Sequence, residues 1–555
     1  MFSTKRNIQQ LTSLMLKSGI KDVVVCPGSR NAPLIHNFNS AGLHCHEMTD
    51  ERSAGFIALG MAEATRTPVA VCCTSGSAVL NFSPAVAEAY YRGVPLMVIT
   101  ADRPQRWIGQ MDGQTLHQDN AFGKLVHVSV DLPEPEWDDS DNANRETAWH
   151  CNRLINEALI SLKRDGGPVH VNIRISEPMF DFSMQRLPDE RIVRWTTMSY
   201  TEETEELFSE LSASKRPMII MGQLTAEKAT LCKPLIKALA ERGFVIIAEH
   251  LSNLTADDEV VSNADTILSS YPNHELLLPD WVLMAGGHIV SKKLKQLLRN
   301  NPPKSVWNID ERGELHDLFC CCTTLLQMQV QEALSHILAH TITPDDAFAQ
   351  HWKQLNEETC RTTTETDSNE FTDLNVLRVF MNKFTGYENI FVGNSSMVRN
   401  LQRLPAIKGC TYSCNRGVNG IEGSVSAAVG SAISGKRTLL LIGDLSFFYD
   451  CNGLMSQELA GNMKESSTTE TEGYLRILLI NNGCGKIFHT LPGLSASPYL
   501  DKYIAASHSR TAKHIAEDAG MDYYCATNID ELHKGCLDLM KTRKKCAILE
   551  VKTKK

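Results

Sequence analysis

Two short apolar runs in the last quarter of the chain most constrain its fold, because each has the length and composition of a buried strand and each ends in polar residues. The runs cover residues 438–442 and 475–480. Asp444 follows the first run after a glycine, and Asn482 follows the second after another asparagine. Ligands in open α/β sheets bind outside the carboxyl ends of the strands. The pattern therefore predicts a binding site where these two strands end.

The residues at the two strand ends are hard oxygen donors. The carboxylate of Asp444 and the carboxamide of Asn482, together with a backbone carbonyl and phosphate oxygens, can complete an octahedron around Mg²⁺. Either half alone is an ordinary turn sequence. Both halves together, at successive strand ends, favour a metal-bridged diphosphate.

Length and charge limit the classes of protein to consider. The 555 residues suffice for about three domains of ordinary size. A net charge of −10 argues against a general nucleic-acid binder, and it means that anionic substrates need a locally basic pocket. With no apolar run of about 18 residues and no signal-peptide pattern, we expect no membrane span and a cytoplasmic location. The 17 cysteines, without a Cys-x-x-Cys pair, favour reduced thiols.

The first third of the chain alternates strand and helix patterns. Strands are predicted at 22–26, 68–74 and 94–100, and a polar, glycine-rich loop at 109–116 follows the last of them. A helix of small and apolar residues covers 54–65, with Asp50 or Thr49 as its cap. Glu51 then lies in the first turn, where it either interacts favourably with the helix dipole or carries chemistry.

The middle of the chain predicts a Rossmann-like domain. Strand patterns at 215–222, 243–248, 281–287 and 305–310 are separated by helical ones. Gly286-Gly287 lacks the rest of a dinucleotide-binding fingerprint, so we expect no bound nucleotide. Lys292 or Lys293 follows this turn and is either a substrate contact or an ordinary solvated lysine.

A further strand, at 389–393, ends in Asn394 and Ser395, and small polar residues in such a position can present N–H groups to phosphate. Arg399 lies one turn further along, and Arg416 follows the next strand pattern. Their places beside strand ends favour binding of substrate carboxylates, because a planar guanidinium pairs with a carboxylate bidentately.

The strand-end pattern resembles the signature of thiamine-diphosphate-dependent enzymes, in which Gly-Asp-Gly and Asn-Asn hold the metal and the cofactor diphosphate. Leu445 stands where that signature has its second glycine, and the spacing from Asp444 to Asn482 is longer than usual. A polar, low-complexity run at 464–473 accounts for the extra length as a predicted surface insertion.

Within this class, the chain most resembles the 2-succinyl-5-enolpyruvyl-6-hydroxy-3-cyclohexene-1-carboxylate synthases, on the basis of the runs 25–34, 50–56 and 100–104. This resemblance extends over essentially the whole chain. It implies an α/β fold of three domains with parallel sheets flanked by helices. These would be a pyrimidine-binding domain (1–185), a central Rossmann-like domain (186–350) and a diphosphate-binding domain (351–555).

The resemblance also implies thiamine diphosphate and Mg²⁺ or Mn²⁺ as cofactors. The metal ligands would be Asp444, Asn482 and the carbonyl of Cys484, and Glu51 would activate the cofactor through its aminopyrimidine ring. Residue by residue, the cofactor-binding positions are Glu51, Asn394, Ser395, Gly420, Ile421, Asp444, Leu445, Ser446, Asn482, Ile487 and Phe488.

The implied reaction decarboxylates 2-oxoglutarate and adds the succinyl carbanion equivalent to isochorismate, a step of menaquinone biosynthesis. Both substrates carry two carboxylates, which basic and polar side chains would hold. The catalytic residues expected on this basis are Glu51, Arg30, Arg103, Gln114, Lys292, Arg399 and Arg416.

The family further implies a homodimer or a dimer of dimers, in which Glu51 and Asp444 meet across a subunit interface. Two other functions remain open at this point. One is a different 2-oxoacid carboligase or decarboxylase, for example of the acetolactate-synthase type. The other is a catalytically silent relative that binds a nucleotide or a partner, although the presence of Glu51, Asp444 and Asn482 argues against it.

Overall fold

The computed structural model describes the whole chain except residues 138–140, 194–210, 255–258, 272–274, 315, 366–369, 385–388, 462–472, 492, 542–545 and 554–555. The described residues form three parallel sheets flanked by helices, which confirms the predicted α/β fold class. Within these ranges, no helix combines the length and the apolar character that a membrane crossing requires.

The first sheet has six parallel strands in the order β2-β1-β3-β4-β6-β5. Its strands are β1 (Asp22–Val25), β2 (His44–Glu47), β3 (Val69–Cys73), β4 (Leu96–Asp102), β5 (Val128–Leu132) and β6 (Val169–Arg174). The helices around it are α1 (Arg6–Lys17), α2 (Ala32–Ser40), α3 (Glu51–Thr65), α4 (Ser77–Asn81), α5 (Ser83–Arg92) and α6 (Asn142–Arg164). Every residue of β3 and β4 is buried, because helices cover both faces of the sheet, and this explains their continuous apolar sequences.

The central sheet has the order β11-β10-β9-β7-β8. Its strands are β7 (Pro217–Met221), β8 (Val245–Ala248), β9 (Trp281–Ala285), β10 (Ser305–Ile309) and β11 (Thr324–Leu326). Its helices are α7 (Ala226–Glu241), α8 (Ala264–Ser270), α9 (Lys292–Asn300), α10 (Val330–Ala339) and α11 (Asp346–Glu365). Phe348 and Trp352 of α11 pack in the core of this sheet, so the domain boundary predicted at residue 350 falls inside a helix that belongs to the central unit.

The third sheet has the order β13-β12-β14-β15-β17-β16, which is the order of the first sheet position by position. Its strands are β12 (Asn389–Val392), β13 (Thr411–Ser413), β14 (Arg437–Gly443), β15 (Tyr474–Asn481), β16 (Asp522–Ala526) and β17 (Ala547–Lys552). Its helices are α12 (Asp373–Lys383), α13 (Ser396–Leu401), α14 (Ser424–Ile433), α15 (Asp444–Asp450), α16 (Gln457–Gly461), α17 (Lys513–Asp518) and α18 (Ile529–Lys541). Most of the insertion predicted at 464–473 lies outside the described residues.

Helices α3 and α14 join the first and third units by an unusually close crossing. A Cβ atom on Gly60 would lie 2.1 Å from the carbonyl oxygen of Ala427, and one on Gly430 would lie 2.2 Å from that of Ile57. Only glycine lets the two backbones approach this closely. The buried residues around the crossing form one continuous core that includes side chains of both units.

Candidate active site

Three polar residues of the third sheet converge at one edge. Strands β12, β14 and β15 are neighbours, and all three run parallel. Asn394, Asp444 and Asn482 come directly after or within two residues of their ends. The structure therefore brings together the two halves of the predicted diphosphate site and places Asn394 beside them.

Asp444 is 3% exposed and begins α15. Its Oδ1 accepts a hydrogen bond from the backbone N–H of Leu445, and its Oδ2 accepts one from that of Gly483, both at 2.7 Å. The Nε2 atom of His508 lies 3.4 Å from Oδ2. Burial raises the pKa of Asp444, and the two N–H donors and His508 oppose that effect.

The side chain of Asn482 is oriented by Asp373, a residue that the sequence analysis did not single out. The Asn482 amide nitrogen donates to Oδ2 of Asp373 at 2.9 Å, and its Oδ1 accepts from the backbone N–H of Cys484 at 3.1 Å. Thr553 donates to the other oxygen of Asp373 at 2.6 Å. Asp373 lies at the start of α12, where an aspartate usually only stabilises the helix terminus, so no local sequence signal distinguishes it.

The donors at this edge fit a hard divalent metal. Asp444 supplies a buried carboxylate, Asn482 an amide oxygen and Cys484 a backbone carbonyl, which in this structure accepts from the N–H of Lys486 at 3.0 Å. Among the described residues, Asp444 has no Lys or Arg ion-pair partner, and no cluster of three His, Cys, Asp or Glu side chains offers an alternative metal site. Oxygen donors completed by ligand oxygens are the environment that Mg²⁺ takes in proteins.

Asn394 organises the loop that leads to Ile421. Its amide nitrogen donates to the carbonyl oxygens of Asn415 and, at 2.7 Å, Gly420, while its Oδ1 accepts from the guanidinium of Arg416 at 2.9 Å. The hydroxyl of Ser446 in α15 donates to the carbonyl oxygen of Ile421. These contacts hold the loop between residues 415 and 421 against the ends of β12 and β14.

Ser395 has a backbone conformation that non-glycine residues rarely adopt, with φ +67° and ψ −126°. Its carbonyl oxygen accepts a hydrogen bond from Arg399 at 2.9 Å. Strain of this kind is concentrated at ligand-binding sites, where the surrounding structure holds it in place.

Arg399 and Arg416 belong to a basic cluster that also includes Lys295. Arg416 is buried, and its Nε has no hydrogen-bond partner among the described residues. Burial and the charge of Arg416 lower the pKa of Arg399. Burial also lowers the pKa of Lys295, as do the charges of Arg416 and Arg399, against Glu249, which raises it.

The sequence analysis considered Lys292 and Lys293 as possible substrate contacts and did not consider Lys295. Both of these lysines are exposed at the start of α9. Lys295 is half-buried, and its Nζ donates to the carbonyl oxygen of Ile289 at 2.9 Å. Residues three apart lie on the same side of a helix, so the spacing alone does not separate Lys295 from Lys292.

The loop after β15 carries Ile487 and Phe488, two of the expected cofactor-binding residues. Ile487 and Phe488 lie in a 3₁₀ turn, Lys486–Thr490, and both are half-buried. Phe488 packs against Cys484, Leu500 and Ala505.

A second group forms at the edge of the first sheet, after strands β1, β3 and β4. Arg30 donates to the carbonyl oxygen of Ile175 at 3.1 Å, and Arg103 donates to that of Gly113 at 3.0 Å. Glu177 lies within reach of both guanidinium groups, at 3.3 Å from Arg30 and 4.0 Å from Arg103.

Gln114 belongs to the same edge of the first sheet. Its amide donates to the carbonyl oxygen of Ser75 at 3.1 Å, and the Ser75 hydroxyl donates to the carbonyl oxygen of Gln114 at 2.9 Å. These two bonds attach the loop after β4 to the end of β3. Arg30, Arg103 and Gln114 are thus brought together around neighbouring strand ends.

Glu51 lies in the first turn of α3. Of the two predicted caps of α3, Asp50 makes the capping contact, accepting from the N–H of Ser53 at 3.1 Å. Glu51 is half-exposed in a cavity of about 550 Å³ lined by residues 48–52, Asn81, Asn452 and Met455. The amide of Asn81 donates to its carboxylate at 3.3 Å. Among the described residues, Glu51 and Asp444 share no hydrogen-bond partner.

Comparison with known proteins gives two matches to domain-family models. Residues 6–122 match the family model of the thiamine pyrophosphate enzyme N-terminal TPP binding domain, and residues 191–392 match that of the middle domain of thiamine pyrophosphate enzymes.

Similarity to individual proteins extends over nearly the whole chain, and the relatives considered share one name, 2-succinyl-5-enolpyruvyl-6-hydroxy-3-cyclohexene-1-carboxylate synthase. The protein of Phocaeicola vulgatus is 41% identical, covering 100% of this chain and 97% of its own length. That of Bacteroides thetaiotaomicron is 41% identical and covers 96% of this chain and 92% of its own length. That of Desulfotalea psychrophila is 35% identical and covers 94% of this chain and 93% of its own length. The strand-end site, the matched domains and this full-length similarity together establish that the chain belongs to the 2-succinyl-5-enolpyruvyl-6-hydroxy-3-cyclohexene-1-carboxylate synthase family of thiamine-diphosphate-dependent enzymes.

Proposed function

We propose that this chain decarboxylates 2-oxoglutarate and joins the remaining four-carbon unit to isochorismate, giving 2-succinyl-5-enolpyruvyl-6-hydroxy-3-cyclohexene-1-carboxylate and CO₂. The observation that carries the proposal is the convergence of Asn394, Asp444 and Asn482 at one sheet edge, in a chain of this family. The basic cluster beside that edge supports substrates that carry carboxylates.

The residues at the ends of β12, β14 and β15 would hold the cofactor and its metal. Asp444, Asn482 and the Cys484 carbonyl are proposed as ligands of Mg²⁺ or Mn²⁺, which in turn binds the diphosphate. When bound, thiamine diphosphate supplies a carbon centre that accepts the electron pair released by decarboxylation. The remaining proposed cofactor contacts are Asn394, Ser395, Gly420, Ile421, Leu445, Ser446, Ile487 and Phe488.

Basic side chains would bind and orient the two substrates. Arg416 offers an unpartnered Nε, and a guanidinium with free N–H groups can take a carboxylate bidentately. Arg399 would add a second charge at the same place. Arg30, Arg103 and Gln114 would hold the opposite end of a substrate from the first sheet. Lys292 would do so from the central unit, or Lys295 in its place.

The role proposed for Glu51 is to exchange a proton with the aminopyrimidine of a cofactor that a second copy of the chain holds. Glu51 lines a cavity whose described lining does not include Asp444 of its own chain. Three large apolar side chains that are each about half exposed belong to the cavity or are close in sequence to its lining residues: Met455 lines it, and the other two are Leu80 and Tyr449. A partner subunit would cover them. We therefore propose a homodimer or a dimer of dimers.

The function is tested with purified protein, thiamine diphosphate, Mg²⁺, 2-oxoglutarate and isochorismate, by following the ultraviolet absorbance of isochorismate. We expect isochorismate loss that requires all four additions. Release of CO₂ from pyruvate, with none from 2-oxoglutarate, would instead indicate an enzyme of the acetolactate-synthase type. Absence of turnover with any 2-oxoacid would refute catalysis of this kind.

A further inference from the structure

Glu88 is a buried carboxylate that the proposed reaction does not use. It lies on α5 of the first unit and is 1% exposed. Its Oε1 accepts a hydrogen bond from the backbone N–H of Gly417, and its Oε2 accepts one from that of Val418, both at 2.9 Å. A helix of the first unit therefore binds the loop of the third unit directly after Arg416.

Arg92, one turn along α5, binds the same loop directly before Arg416. It donates to Oδ1 of Asn415 at 3.4 Å. Its Nε lies 3.7 Å from Glu88, and it also forms an ion pair with Glu63. Taking the Glu88 charge out of water is costly, and the two N–H donors together with Arg92 offset that cost.

Gly417 is required for this contact. A Cβ atom at this position would lie 2.9 Å from the carbonyl oxygen of Glu88 and 3.0 Å from its Oε2. The loop can approach α5 only because the residue next to Arg416 has no side chain.

We propose that Glu88 is a positioning residue for Arg416, holding the backbone of the 415–418 loop so that the guanidinium is presented to a substrate carboxylate. The inference rests on the proposed function, since it takes Arg416 as a substrate contact. The Arg416 side chain itself is bound by Asn394 alone among the hydrogen-bond partners described, so the fixed backbone on either side determines where it points.

The test compares Glu88→Gln with Glu63→Gln. Both changes remove one charge beside Arg92, but only the first places an NH₂ group against a loop N–H donor. Arg416→Ala identifies the substrate that Arg416 binds, because it raises the KM of that substrate. We expect Glu88→Gln to raise the same KM about tenfold or more, with a smaller change in kcat, as for other residues that orient a binding group. Glu63→Gln should leave KM close to the wild-type value.

Hydrogen exchange gives a readout that does not depend on turnover. The amides of Gly417 and Val418 should exchange faster in Glu88→Gln than in the wild type and in Glu63→Gln. If the wild type fails to convert isochorismate, the proposed function falls, while the exchange comparison still tests the loop contact. Unchanged exchange and unchanged KM in Glu88→Gln would overturn the positioning role.

A double variant separates positioning from general destabilisation. If Glu88 acts through Arg416, adding Glu88→Gln to Arg416→Ala should raise KM little further, because the two residues act as a unit. Fully additive losses would overturn the proposal. Should Glu88→Gln fail to fold, Gly417→Ala tests the same contact from the loop, with the same expected rise in KM.

Discussion

The backbone N–H of Gly483 donates a 2.7 Å hydrogen bond to Oδ2 of Asp444, and this contact links the residues that directly follow β14 and β15. Because Asn482 directly precedes Gly483, the bond also sets the carboxylate and the carboxamide in a fixed relation to each other. The two proposed metal ligands are therefore preorganised by the backbone of the loop that follows β15.

Replacement of Asp444 by asparagine should weaken Mg²⁺-dependent binding of thiamine diphosphate by about 100-fold or more, since loss of even an outer residue of a metal site costs 10–100-fold. Fluorescence titration with and without Mg²⁺ measures the effect. The control is Asp189→Asn, whose side chain is 97% exposed. Equal affinities in the Asp444 variant and the wild type would remove Asp444 from the metal site.

Glu51→Gln should abolish turnover but leave thiamine diphosphate binding largely intact, because the proposed metal and diphosphate contacts lie elsewhere. Amide nitrogen cannot exchange a proton as a carboxylate does. The measurements are the isochorismate assay and the same fluorescence titration. Unchanged turnover would exclude Glu51 from the mechanism.

Activity should return when Glu51→Gln and Asp444→Ala subunits are co-expressed. In a mixed dimer one site then receives Glu51 from one subunit and Asp444 from the other. Random mixing predicts about one quarter of wild-type turnover per subunit pair. A site formed within one chain would give no recovery, so this experiment decides between the two arrangements.

Replacement of Ser395 by glycine should stabilise the protein while reducing turnover. The positive φ of Ser395 costs about 1–3 kcal/mol that glycine does not incur. After the extra freedom of glycine in the unfolded chain is subtracted, we expect a net gain of about 1 kcal/mol. Thermal unfolding of Ser395→Gly and Ser396→Gly gives the comparison. Ser396 lies in α13, so glycine there should lower the melting temperature.

Gly430→Ala should destabilise the crossing of α3 and α14. Alanine is favoured over glycine inside a helix by about 1 kcal/mol. Here its Cβ would lie 2.2 Å from the Ile57 carbonyl oxygen, and the backbone shift this requires costs about 1–3 kcal/mol or more. We therefore expect a lower melting temperature. Gly113→Ala, where nothing lies within 4 Å of the added atom, serves as the control.

His46 should make the contact between the first and third units sensitive to pH. Its Nε2 lies 3.0 Å from Asp22, and its Nδ1 lies 2.6 Å from Glu458 of α16. Burial alone would lower the pKa of His46, but the hydrogen bonds with the two carboxylates outweigh it and raise the pKa to about 9. The stabilisation is thus complete below about pH 6.5 and is lost as the pH rises through about 9.

His46→Gln should accordingly lower the melting temperature most near pH 6.5, with a difference that shrinks toward pH 10. At the lower pH we expect the free energy of unfolding to fall by about 2 kcal/mol, allowing for solvent screening at Glu458, which is 36% exposed. His514→Gln, at a side chain 81% exposed, provides the comparison. A difference independent of pH would show that His46 contributes only packing.

The fold and the strand-end site were predictable because parallel strands covered on both faces leave continuous apolar runs that stop at polar residues. Asp444 and Asn482 stand at such stops, and so does Asn394. Contacts between residues that are far apart in the sequence leave no such local pattern. Asp373 is 109 positions from Asn482, and Glu88 is 329 positions from Gly417.

The lysine assignment shows a different limit. The Gly286-Gly287 turn led to the prediction of the first lysines after it as substrate contacts. Which lysine lies beside the basic cluster depends on how α9 packs against the third unit. One contact between the central and third units is the hydrogen bond that Gln223 donates to the Cys414 carbonyl oxygen, at 3.0 Å. Neither residue belongs to a motif, so sequence patterns could not have favoured Lys295 over Lys292.

The equal strand orders of the first and third sheets have a consequence for the history of the chain. Two α/β units with the same order of six strands are what duplication of one ancestral unit produces. Each chain would then be an internal pseudo-dimer whose halves have diverged, one keeping the acid Glu51 and the other the oxygen donors. A homodimer of such chains would be a ring of four related units, with its catalytic sites formed only where unlike units from different chains meet.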